Sequence, residues 1–582
     1  MAKSEFNKYP YIEFRKEASV FKGWKEIAEE INRRIKELNK SKVIIALECY
    51  HGVIEAEIFW ELNAAVKFHF TMPTKSIFKK EAEISALIGN DLTEDPVFGR
   101  LNEYSLNDYF DPDKFEKARQ EIERQKKGPV LVCGAGASTL AQADIIIYAD
   151  MTRWEIIQRM RRNQIPNLGF ENRDDSPAKK YKQAFFFDWR ICDRHKRTLF
   201  DKWDYYLDTN EPVAPKMITG DTARSAIKQG AAEPFELVPY FDPGPWGGQW
   251  MKEICGLDKS VSNYAWCFNC VPEENSVLFK IGGSLIEMPA INIVFYCPEE
   301  LLGKKVYDIF GAEFPIRFDF LDTMDGGNLS LQVHPTKEYI KQKFNWPYTQ
   351  DESYYLMDAG TGANVYLGLK EGIVPEDFKR DLLKAEKGET VFPDEKYVEK
   401  WPVKKHDHVL IPAGTVHCSG AGCMVLEISS TPYIFTFKLW DWERMGLDGL
   451  PRPIHSEHGL NVIQFNRTVE WTRENLINMI EPLAEGDGWR EEKTGLHELE
   501  FIETRRIWFQ KEIEVITGES VNVLNLVEGD EITIEAAEGE FQALTVHYAE
   551  TFIIPCSVKK YIIRPSAAAK SNTFAVIRAY IR

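Results

Sequence analysis

Residues 328–339 read NLSLQVHPTKEY and place Gln332 and His334 two positions apart in an alternating, partly apolar run that stops at Pro335. Such a run reads as a strand, and side chains two apart on a strand share a face. An amide beside an imidazole is either a polar pair satisfied in a core or half of a metal site. Two further segments bear on the choice. Glu352 lies in TQDESYYLMDAG (349–360) and His417 in HDHVLIPAGTVHCSGAG (406–422). In the second, Pro412 and Gly414 supply a turn that reverses the strand and aims His417 inward. One amide oxygen, one carboxylate and two imidazoles suit a divalent ion of the zinc class with an open coordination position. An open position signals catalysis, because the ion can then polarise a carbonyl as a Lewis acid. Singly, each residue has a plainer reading, the histidines as hydrogen-bonded strand-end side chains and Glu352 as a surface acid. The three pieces in order, about 20 and 65 residues apart, favour the metal.

The elements that must position these residues change character along the chain. Trp24, Ile27, Ile31, Ile35 and Leu38 recur at helical spacing. KVIIAL (42–47), AAVKFHF (64–70), GPVLVC (128–133) and ADIIIYAD (143–150) read as strands. They alternate with helices from Val53, over 112–127 and from Thr152, which predicts an α/β domain with a mainly parallel sheet. The alternation fades between about 205 and 235, and short strands with frequent Gly and Pro follow from 275. The last 350 or so residues are expected to be all-β, with helical insertions near 372–386 and 471–483. SVNVLNLVEGDEITIEA (520–536) reads as two strands about a turn at Glu528-Gly529-Asp530.

With 582 residues the chain is too long for one core. The net charge of -18 argues against a nucleic acid as the main partner, since a phosphate backbone needs a basic face. Ten scattered cysteines, with one CxxC at Cys267–Cys270, are too few for a disulfide scaffold and are expected to be reduced thiols. The charged N-terminal stretch and the lack of a long apolar run predict a soluble, cytoplasmic protein with no membrane partner.

The β region resembles the type I phosphomannose isomerases of the cupin superfamily over about 238–582. The resemblance rests on PGPWGGQWM (243–251), FDFLDT (318–323), LSLQVHP (329–335), DESYY (351–355), IPAGTVH (411–417) and the C-terminal NLVEGD and YAETFIIPCSVKKYII. It implies a double cupin, or jelly roll, that interconverts mannose 6-phosphate and fructose 6-phosphate by moving a proton between C1 and C2. It further implies one Zn2+ held by Gln332, His334, Glu352 and His417, and a phosphate contact at Ser330. Lys337 is a second substrate-binding candidate, and Lys438, Arg444 and Glu427 are the candidate catalytic side chains. Several positions depart from the family. Gln350 and Asp319 stand where lysines are usual, Lys438 where an arginine is usual and His406 where a glycine is usual. A different hexose phosphate and a sugar-phosphate sensor without turnover are therefore alternatives.

The first third resembles a degenerate uridine-kinase-like P-loop domain. After KVIIAL comes ECYHGVIEAEI (48–58), which keeps Gly52 but has no lysine to cradle phosphates. Arg153, Arg159, Arg161 and Arg162 are candidate phosphate holders in a lid helix, and a nucleotide is the partner to be tested there. GAGAST (134–139) lacks the third glycine of a dinucleotide fingerprint. The expected domains are 1–215, kinase-like without kinase activity, 216–466, the isomerase-like cupin, and 467–582, the C-terminal cupin.

Overall fold

The computed structural model describes residues 5–430, 435–446, 449, 452–495 and 499–582, in two compact units. One comprises residues 11–230 and 276–296, the other residues 1–10, 231–275 and 297–582.

The N-terminal unit is built on a seven-stranded sheet. Its parallel part runs Tyr205–Asp208, Ile145–Asp150, Lys42–Cys49, Gly128–Gly134, Phe70–Pro73, and Lys216–Thr219 and Phe21–Lys22 add antiparallel strands at one edge. Ile45, Ala46 and Leu47 are fully buried, as a strand covered on both faces requires. The helix Gly23–Leu38 buries Ile27 and Ile31 and stops at Asn39, whose φ of 47° is left-handed. AAVKFHF was expected as a strand, but the helix Glu55–Val66 runs through its alanines because Leu62 and Val66 complete that helix's buried face. Lys67 then turns left-handed and the strand begins at Phe70. Two further differences concern the domain limits. The strand Lys216–Thr219 and the helix Gly220–Gly230 belong to this unit rather than to the next. So does the hairpin Ser276–Ile281 and Ser284–Pro289, read from sequence as part of the β region, because its first strand pairs in parallel with Tyr11–Glu13.

The larger unit holds two pairs of antiparallel sheets. In the first pair, six strands run Tyr240–Asp242, Trp266–Cys270, Arg317–Asp322, Cys423–Ser429, Glu352–Ala359, His408–Ile411. Five more run Val398–Pro402, Asn364–Leu369, His417–Ser419, Leu331–Val333, Phe437–Trp440. In the second pair, Asn522–Glu528 lies in a seven-stranded sheet and Glu531–Ala536 in a four-stranded one. The Gly529-Asp530 turn thus sends the chain from sheet to sheet. Leu524, Leu526, Ile532, Ile534, Phe552 and Ile563 fill the core between them. The helical insertion at Pro375–Glu386 matches expectation, whereas the second is shorter than expected, Val469–Asn475. It ends where Leu476 leaves helical geometry, and Glu481–Gly486 forms an exposed edge strand.

All ten cysteines are free. No helix among the described residues is long and apolar enough to cross a membrane.

Candidate metal centre

The short strands Leu331–Val333 and His417–Ser419 are antiparallel neighbours, with Gln332 opposite His417. On its other side Gln332 lies opposite Lys438. One sheet therefore presents His417, Gln332 and Lys438 in a row. Glu352 opens the strand Glu352–Ala359 of the other sheet, and its carboxylate meets both histidines. His334 Nε2 lies 3.0 Å from Glu352 Oε2, and His417 Nε2 lies 2.9 Å from Oε1. His334, Glu352 and His417 are all buried, and Gln332 Nε2 is 3.2 Å from His417 Nε2.

Both imidazoles are turned by their far nitrogens. His334 Nδ1 is 2.7 Å from the carbonyl oxygen of Phe435, and His417 Nδ1 is 2.8 Å from that of Thr415. A carbonyl can only accept, so each Nδ1 carries a proton, and each Nε2 is the ring atom turned toward the centre, where a metal would bind in place of a proton. Despite these short separations, His334 Nε2 and Glu352 Oε1 lack hydrogen-bond geometry toward any partner. Buried polar atoms without partners are costly. Three buried ligand-type side chains gathered at one place, with His334 Nε2 and Glu352 Oε1 left without partners, fit a shared cation.

The turn before His417 is built for this placement. Gly414 has φ of 88° and donates its N–H to the carbonyl of His334 at 2.9 Å. Arg467 holds the same turn through the carbonyls of Pro412 and Ala413. Gln350, where the resembled family has lysine, donates to Glu352 Oε2 at 2.8 Å and accepts from the N–H of Phe435 at 3.0 Å. His406, in place of a glycine, keeps the left-handed backbone at φ of 73°, with Tyr355 Oη 2.8 Å from its Nδ1.

Charges around the centre are strongly perturbed. Burial would raise the Glu352 carboxyl, but His334 and His417 overcome it and hold the group well below the usual carboxylate range. Glu427 is not among the converging donors. It faces Asp319 and Tyr354 across the sheet, and burial together with Glu352 and Asp319 pushes it well up. Asp319 itself, at 3.1 Å from Arg317, is pushed up to about 6 by burial against that arginine's pull.

A second cluster flanks the first. Ser330 Oγ donates to Asp441 at 2.8 Å, Arg444 reaches Asp441 at 2.7 Å and Arg452 reaches it at 2.8 Å. Burial, then Arg452, push Lys438 down to about 8, and Asp441 opposes the shift. Lys337 stands apart, exposed in the first turn of the helix Lys337–Phe344. Arg317, Asp441 and Arg452 were missed from sequence. The signal for Arg452 was its confinement between two prolines.

In the N-terminal unit the lid arginines are engaged internally. Arg153 bonds Asp193 at 2.7 Å and the Tyr50 hydroxyl at 2.9 Å, and Arg159 bonds the carbonyls of Gly52 and Thr209. Arg162 bonds Glu155, and Arg161 lies over the Trp154 ring. The GAGAST loop directs the N–H groups of Gly136 and Ser138 at Glu48, a carboxylate of the chain's own first parallel strand.

Comparison with known proteins adds three findings. A family model described as a domain of unknown function (DUF8485) matches residues 23–232. Mannose-6-phosphate isomerase of Streptococcus mutans is 24% identical over 243 residues, 41% of this chain and 71% of that protein. The probable mannose-6-phosphate isomerase GmuF of Bacillus subtilis is 26% identical over 233 residues, 40% of this chain and 68% of that protein. Among solved structures, the mannose 6-phosphate isomerase from Bacillus subtilis aligns at 18% identity with a TM-score of 0.49, covering 60% of this chain and all of that one. The chain is thus similar to mannose-6-phosphate isomerases over about 40% of its length.

Proposed function

We propose that this protein is a metal-dependent aldose–ketose isomerase that interconverts mannose 6-phosphate and fructose 6-phosphate. The observation that carries the reading is the buried convergence of His334, Glu352 and His417, with both Nε2 atoms turned toward the shared carboxylate. The names of the similar proteins support the substrate. Gln332, His334, Glu352 and His417 would hold one zinc ion. Bound there, zinc supplies a Lewis acid for the substrate oxygens on which charge builds.

The chain's own residues do the rest. Ser330 and the three cations Lys438, Arg444 and Arg452 gather around the single carboxylate of Asp441. Two positive charges remain, which matches a phosphate dianion. Lys337, at the solvent side, is the outer substrate contact. Lys438, pushed down to about 8, exchanges a proton near neutral pH, as a group serving C1 and C2 must. Arg444 positions it through Asp441, and Glu427, pushed well up, limits the negative charge beneath Glu352.

A sensor of sugar phosphates without turnover is the second reading, favoured by Gln350 and Asp319 in place of lysines. A coupled assay on zinc-loaded protein with mannose 6-phosphate separates the two. Turnover that chelator abolishes and zinc restores supports the isomerase, and turnover retained by a metal-free His417→Ala variant refutes it. Ligand-induced stabilisation without turnover supports the sensor.

We also infer that the N-terminal unit is nucleotide-kinase-like without phosphoryl transfer. Its parallel strand order, its lack of a lysine after the first parallel strand and the carboxylate of Glu48 at the GAGAST amides support this. ATP hydrolysis by the purified chain would overturn it. Within the larger unit, a division near residue 466 separates the catalytic cupin from the C-terminal one. Ten free cysteines favour a reducing, cytoplasmic setting.

A further inference from the structure

A second group of metal-ligating side chains lies in the C-terminal sheets. Glu531 and His547 are directly opposite on the paired strands Glu531–Ala536 and Leu544–His547, so their side chains share a face. Glu5, from the N-terminal segment of the same unit, brings a third donor, and one donor atom from each lies within 4.8 Å of the others. We propose that Glu5, Glu531 and His547 form a second binding site for a divalent cation of the zinc class.

Three observations support it independently of the first centre. The first is the tautomer. His547 Nδ1 lies 3.1 Å from Glu550 Oε2, and that buried carboxylate is itself fixed by the backbone N–H groups of His547 and Asn7. A proton is thereby held on Nδ1, and Nε2 is the ring atom that faces Glu531, the carboxylate–histidine arrangement that orients metal ligands. The second is spacing. His547 Nε2 and Glu531 Oε2 are 3.5 Å apart, too long for a strong ionic hydrogen bond. It is close to the ~3.3 Å edge of a tetrahedron whose bonds to zinc are about 2.0–2.1 Å. The other Glu531 oxygen is anchored by the Ser566 hydroxyl, which leaves Oε2 to face the gap. The third is charge. Glu5, Glu531 and Glu550 surround one imidazole, so even a protonated ring leaves negative charge in excess. Among the described residues no lysine or arginine pairs with any of the three. Two carboxylates and one imidazole leave a fourth position for water. Occupied, the site would tie the start of the chain to the C-terminal sheet, because Glu5 and Asn7 both end on it.

The test is zinc stoichiometry on the full chain, stripped with chelator, dialysed against a slight excess of zinc and assayed by elemental analysis. Wild type is expected to hold two equivalents. His547→Ala and Glu5→Ala should each hold one. Glu5 is exposed, so its variant tests the site without disturbing the fold. His417→Ala should also hold one, and zinc should raise its Tm but not that of the His417→Ala/His547→Ala double variant. A wild-type equivalent that His417→Ala abolishes completely, or two equivalents retained by both His547→Ala and Glu5→Ala, overturns the proposal.

Discussion

Gln350 offers the sharpest test of how the metal centre is assembled. Its side chain spans two elements, donating to Glu352 Oε2 at 2.8 Å and accepting from the N–H of Phe435 at 3.0 Å. The same Phe435 peptide takes the His334 Nδ1 proton on its carbonyl. One amide therefore orients two ligands from opposite sides. Gln350→Leu keeps the volume and removes both bonds. The orphaned Phe435 N–H should cost about 1–3 kcal/mol of stability. Loss of a bond to charged Glu352 brings the total to about 2.5–6 kcal/mol. Removing such an outer partner lowers metal affinity about 10–100-fold, or ~1.4–2.7 kcal/mol. Competition against a chromophoric chelator reads the zinc affinity, and urea unfolding of chelated protein reads the stability. A zinc affinity within about threefold of wild type, whatever the stability, would refute the argument that Gln350 holds the ligands in place.

Three other perturbations follow from the same geometry. At Gly414 a Cβ would lie 2.7 Å from Gln464 Cγ and 3.0 Å from the Val462 carbonyl. With the cost of a left-handed alanine, Gly414→Ala should destabilise by about 2–3 kcal/mol and weaken zinc binding, because its N–H holds His334. His408 is pushed down to about 3 by burial and by Arg506. The unfolded chain takes up that proton first, so stability is lost as pH falls below the ordinary value of about 6.5 toward 3. Urea midpoints for wild type and His408→Leu should show that the variant escapes ~2 kcal/mol of loss between pH 7 and pH 5. Lys438 is pushed down to about 8, so kcat for the sugar phosphate should show a limb near that pH. Lys438→Met should lower kcat about 100-fold or more at neutral pH and flatten the limb. A limb that survives in the variant assigns it elsewhere.

The residues His334, Glu352 and His417, which the structure brings together, stood out in the sequence because short motifs carry them and each motif encodes its own geometry, a two-residue strand spacing or a Pro-Gly turn. Their supports did not. Asp441 and Arg452 come together only through tertiary folding, and no periodicity marks either. Gln350 read as a lost lysine, whereas its two-ended amide is a clamp that a lysine, with donors only, could not make. His406 read as a lost glycine, yet the backbone kept the left-handed turn and Tyr355 holds the ring. Strand character in 276–289 was plain from alternation. The choice of Tyr11–Glu13 as its partner was invisible, since periodicity states which face is buried and not which strand lies alongside.

That pairing sets the order in which the protein can be made. Tyr11–Glu13 waits for Ser276–Ile281, and Phe235–Glu236 waits for Thr551–Ile554 at the far end of the chain. Emerging from a ribosome, the first strand stays without its neighbour until nearly half the polypeptide has been synthesised. Contacts closed over such long loops form late and slowly. A fragment cut after residue 230 would leave the Tyr11–Glu13 edge bare, open to pairing with other chains. Expression of the N-terminal region alone should therefore carry the strand pair at 276–289 with it, joined by a linker in place of residues 231–275.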